Sequence, residues 1–103
     1  MTRRAEHLKG VNLSSLDEGS VIDLETKSRH YRIEYLGGDQ ARISGHPRLC
    51  PTPVLAQLQG SIGHSGIESG FIRQGMHLVF RRLDDRVPVT TSEITGIRVE
   101  DQG

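Results

Sequence analysis

The longest apolar run of the chain lies at positions 71–83, FIRQGMHLVFRRL, and within it Met76, Leu78 and Phe80 alternate with His77, Val79 and Arg81. A period of two puts successive side chains on opposite faces, so the stretch reads as a strand with one face on a core. Gly75 stands just before the alternation begins, where a bulge or tight turn would re-aim the chain. The same period returns at Val21–Thr26, with Ile22 and Leu24 on one face and Asp23 and Glu25 on the other. At 29–36, Tyr31, Ile33 and Tyr35 alternate with His30, Arg32 and Glu34, and at Gln40–Ser44 the inward residues are Ala41 and Ile43. Gly37-Gly38-Asp39 is a favourable turn between the last two segments, and the three together spell a meander.

Beyond the meander the pattern is less regular. Pro47, Pro51 and Pro53 forbid a helix over 45–53 and interrupt any ladder there. Two readings compete at 52–60. Thr52, Pro53 and Gly60 sit where a short helix would want them, whereas Val54, Ala56 and Leu58 alternate with Leu55, Gln57 and Gln59. Two turns of helix are marginal without support, so strand is preferred. SIGHSGIESG, 61–70, reads as a glycine- and serine-rich loop. After a polar turn at Asp84-Asp85-Arg86, segments 87–91 and 93–99 finish the sheet, and the skip in phase between Ile94 and Ile97 marks a bulge at Gly96.

Residues 1–15 carry no pattern and read as a flexible N-terminal arm, followed by a single β domain at 16–100 and a tail at 101–103. The expected fold is all-β, a small antiparallel β-barrel or compact sandwich of about six or seven short strands. In size and strand rhythm it looks like the SH3-like and OB-type small barrels, a likeness of architecture that carries no function with it.

Composition narrows the classes of partner. The 103 residues hold 13 basic and 13 acidic side chains, and the balance holds in each half, eight against seven in 1–50 and five against six in 51–103. A protein that works by neutralising phosphates needs a basic excess somewhere, so nucleic acid is disfavoured unless folding gathers a patch. With one cysteine, Cys50, no internal disulfide can form. No segment approaches the length of a membrane span or a signal-peptide core, and a soluble cytoplasmic protein is expected.

Candidate chemistry is sparse. His46 and Cys50 could share a zinc ion, with His64 or His77 completing the set, but a structural site wants two close pairs and only one is present. No metal or other cofactor is therefore expected. Cys50 as a nucleophile would need a lowered pKa and a base beside it. Gly63-His64-Ser65-Gly66 begins the G-x-S-x-G elbow but has Ile67 where the last glycine belongs. Gly60, Gly63 and Gly66 open no helix that could cradle a phosphate. Arg29, Arg32, Arg42 and Arg48 are candidates for a small anion- or nucleic-acid-binding face, with Glu34 and Asp39 diluting it. Leu36, Leu55 and Val79 are apolar residues on outward faces and, with Arg32 and Arg42, the candidate partner surface.

The expectation is a non-catalytic interaction or assembly module that binds a protein, a peptide or copies of itself. The alternatives are a small metal- or ligand-binding protein using His46, Cys50 and His64, and a nucleic-acid-binding barrel.

Overall fold

In the computed structural model, which describes residues 4–101, ten strands run antiparallel to their partners. They are β1 (Arg4–Leu8), β2 (Gly10–Asn12), β3 (Val21–Thr26), β4 (His30–Gly37), β5 (Gln40–Ser44), β6 (Val54–Gly63), β7 (Gly66–Ser69), β8 (Phe71–Arg73), β9 (His77–Arg82) and β10 (Val89–Asp101). Six of them close a barrel, in the order β3-β4-β5-β6-β9-β10 and back to β3. The all-β barrel expected from the alternation is the fold observed.

Two long strands make closure possible. β6 pairs through 54–57 with β5 and through 60–63 with β7 on the same side, while β9 lies along its other side. β10 repeats the arrangement, with β9 against its first part, β1 against 97–101, and β3 opposite. Each long strand thus overhangs the barrel, and each overhang carries one further strand. Register shifts fall between Leu58 and Gly60 in β6 and between Ile94 and Gly96 in β10, bending both strands as a tightly curved sheet requires. The bulge expected at Gly96 is therefore present.

Inward residues of every barrel strand meet in one core, in which Ile22, Leu24, Ile33, Ile43, Leu58 and Phe80 are sealed from solvent. Full burial of such a side chain contributes roughly 1.5–3 kcal/mol, so the aliphatic core does most of the stabilising in a chain with no Trp.

Several expectations are corrected. The arm at 1–15 is structured over its described part: β1 pairs with the last strand, β2 pairs with β8, and Leu13–Ser15 form a 3-10 turn capped by Asn12 Oδ1. Val11 and Leu13 anchor it in the core, at 5 % and 2 % exposure. Residues 1–3 of the arm, and 102–103 of the tail, lie outside the described residues. The loop at 61–70 is the turn half of a hairpin, β6 to β7, with only His64 and Ser65 between the strands. The run at 71–83 is two strands, β8 and β9, because Gly75 takes φ +92° and turns the chain. Segments 87–91 and 93–99 run together in one strand, β10, which starts at Val89.

Candidate functional site

The sequence's metal candidates do not converge. Gly45 and Cys50 are tied by a 2.9 Å bond from Gly45 N to Cys50 O, and Cys50 N donates to His46 O at 2.9 Å, closing a small loop. Inside it His46 Nδ1 accepts from the amides of Arg48 (3.1 Å) and Leu49 (3.2 Å), so one of its two ring nitrogens is already engaged. Cys50 is fully buried, and burial pushes its thiol pKa up, away from the thiolate a ligand or nucleophile needs. His64 sits at the tip of the β6–β7 hairpin, and His77 Nδ1 lies 2.9 Å from Thr91 O. Among the described residues no three His, Cys, Asp or Glu side chains form a group that could hold a metal.

The arginines are separated by register. Arg42 stands opposite Glu34 and pairs with it at 3.2 Å, and Arg32 stands opposite Asp23 and Ser44. Charges of alternating sign therefore cover the outer face of β3, β4 and β5, and no basic face forms there. The partner-surface candidates divide as well. Leu55 is 47 % exposed, Leu36 is half-buried, and Val79 is buried at 6 %, set between Gly60 and Thr90 on the neighbouring strands. Val79 leaves the candidate surface.

Four further apolar residues are exposed that the sequence did not single out, Ile62, Ile67, Leu83 and Val87. Leu83 lies beside Leu55, its amide donating to Leu55 O at 3.1 Å, and Ile62 and Ile67 are cross-strand partners in the hairpin. Ile67 is half-exposed. An alternating apolar residue on each side of a two-residue gap was the available signal for the hairpin.

Ile67 also borders a wide cleft of about 870 Å³. Gln57 and Gln59 come from β6, Ile67 and Ser69 from β7, Tyr35, Gly38 and Asp39 from the β4–β5 turn, and Asn12 and Ser14 from the 3-10 turn. The turn is held in shape by Tyr35 Oη donating to Gly38 O at 2.7 Å and by Gln57 Nε2 donating to Asp39 Oδ2 at 2.7 Å. The 3-10 turn is fixed to the end of β7 by the bond from Leu13 N to Gly70 O, 2.9 Å. The walls are largely apolar, with Leu13, Leu58 and Ile67 among them; their polar side chains are mostly amides and hydroxyls, Asp39 is the one charged residue among those lining it, and no cationic side chain contributes. Such a cleft can exchange hydrogen bonds with a neutral polar chain and tolerate a positive charge. It offers no cation to a phosphate.

The chain matches no protein-family model, and no curated protein or solved structure is detectably similar to it. No helix among the described residues is long and apolar enough to cross a membrane.

Proposed function

We propose that this protein is a non-catalytic interaction module that takes up an extended segment of a protein partner, or of a second copy of itself, in the cleft beside β7. The observation that supports the reading most is that among the described residues β7 pairs on one side only, with β6, and that Ile67 and Ser69 line the cleft. A one-sided strand offers main-chain donors and acceptors to an added strand, and a neighbouring pocket selects alternate side chains. Largely apolar walls with amides, hydroxyls and Asp39 as the one charged residue suit a polypeptide that is uncharged or weakly basic. A cytoplasmic setting is consistent with Cys50 remaining a buried free thiol.

The test has two arms, each with wild type and Ile67→Glu. Native mass spectrometry over a range of protein concentrations reports self-association, and panning of a displayed random-peptide library reports peptide capture. Dimers lost in the variant support pairing between copies. Enrichment of β-prone peptides by wild type alone supports a separate partner. A monomer that enriches nothing sinks the proposal.

A further inference from the structure

A second concavity, of about 200 Å³, lies at the turn between β3 and β4 and is lined by Ser28, Arg29, Tyr31, His46 and the β10 stretch 89–92. Its chemistry is the reverse of the large cleft. No carboxylate lines it, and hydroxyl-bearing Ser28, Thr90 and Ser92 stand with an arginine and a histidine. Glu93, the nearest acidic residue in β10, is engaged elsewhere, 3.4 Å from Lys27 Nζ.

The tautomer of His46 follows from its loop. Because Nδ1 accepts from the amides of Arg48 and Leu49, the neutral ring carries its hydrogen on Nε2 and has that donor free for a ligand. Arg48 does not line the pocket, but its amide donates to His46 Nδ1 at 3.1 Å from the adjoining loop, and after burial the charges of Arg29 and Arg48 lower the pKa of His46. Neither guanidinium is among the ion pairs of the described residues, whereas Arg42, Arg73, Arg82 and Arg98 each have a carboxylate. In a chain with equal numbers of acids and bases, this is a local excess of positive charge without a counter-ion.

We infer that this pocket is a binding site for a small tetrahedral oxyanion of the phosphate or sulfate class, held by Arg29 with His46 Nε2–H and the hydroxyls of Ser28 and Ser92 as further donors, Arg48 adding positive charge from the adjoining loop. Guanidinium groups suit such ligands because they present paired N–H donors in one plane, and charge-assisted bonds to oxyanions are the stronger kind. The ligand is either a free ion or the phosphomonoester of a small molecule, since the volume leaves little room for more than the anionic group.

The test uses the whole chain, isotope-labelled, titrated with sodium sulfate, inorganic phosphate and glycerol phosphate against sodium chloride at matched ionic strength. Saturable shifts confined to the amides of 28–31, 46–49 and 90–92, with affinity falling about tenfold or more in Arg29→Gln/Arg48→Gln, are the expected result. Arg42→Gln, whose partner is Glu34, should bind as wild type does, and unchanged spectra elsewhere show that the variants are folded. Stronger binding of glycerol phosphate identifies an ester as the ligand, and equal binding identifies the free ion. Shifts that chloride reproduces, or an affinity that the double variant retains, overturn the assignment.

Discussion

Tyr31 of β4 and Phe80 of β9 meet edge to face inside the barrel, with ring centroids 6.1 Å apart and planes inclined at 67°. Their strands are not neighbours, so the contact spans the interior and ties opposite walls together. Phe80 is the largest side chain that is sealed from solvent. Phe80→Ala is expected to cost about 3–5 kcal/mol, a large part of the stability of a small domain. Urea denaturation should show the midpoint falling sharply with the slope unchanged, whereas Phe80→Leu should lose less than half as much.

Ser61 carries a buried hydroxyl that joins β6 to β8. It donates to Phe71 O at 2.7 Å and accepts from Arg73 N at 3.2 Å. Ser61→Ala would strand both main-chain groups, at a cost of about 1–3 kcal/mol. Hydrogen exchange should accelerate at Arg73 beyond what the global loss explains, and a uniform change across all strands would contradict a local role.

Gly60 and Gly66 bracket the hairpin, and both have positive φ, +136° and +106°. A Cβ on Gly60 would run into the carbonyl oxygen of Glu68, while one on Gly66 meets open space. Both Ala variants carry backbone strain of about 1–3 kcal/mol, but Gly60→Ala must also push β7 away from β6. Thermal unfolding should therefore rank Gly60→Ala well below Gly66→Ala, and equal losses would show that the close approach of the two strands is unimportant.

Stability should fall at both ends of the pH scale for identifiable reasons. The folded state holds His46 neutral, with its pKa lowered by burial and then by Arg29 and Arg48. The unfolded chain takes up that proton first, so stability is full above about pH 6.5 and declines as pH drops below it. The thiol of Cys50 and the phenol of Tyr31 are both raised, chiefly by burial. The unfolded chain releases those protons first, and stability declines as pH rises past about 8.5. Melting temperatures across this range should show a shallower acid limb for His46→Asn and a shallower alkaline limb for Cys50→Ala.

Where alternation is strict and one face is wholly apolar, the sequence was legible in detail. β3 and β5 have the bounds read from it, β4 differs by one residue at each end, and Tyr31 and Tyr35 point inward as expected. β1 was not legible because main-chain pairing with β10 defines it, a relation spanning almost the whole chain. β7 was missed because Gly66 and Ser69 are poor strand formers in isolation, and they become strand only against β6. Arg29 and Arg48 were named as candidates alongside Arg32 and Arg42. Telling them apart required the register that puts Glu34 opposite Arg42, and no local pattern encodes that.

The shared use of β10 has a consequence for how the molecule forms. β1, β3 and β9 all pair with it, so the barrel cannot shut until residues 89–101 have joined it. During synthesis the β3–β4–β5 meander can assemble early as a local unit, but β1 must wait for its partner until the ribosome has delivered about ninety residues more. Folding that depends on such distant pairings belongs to the slow end for small domains, on the order of milliseconds to seconds. The interval during which β1 waits is when the chain is most exposed to pairing with a neighbour instead of with itself.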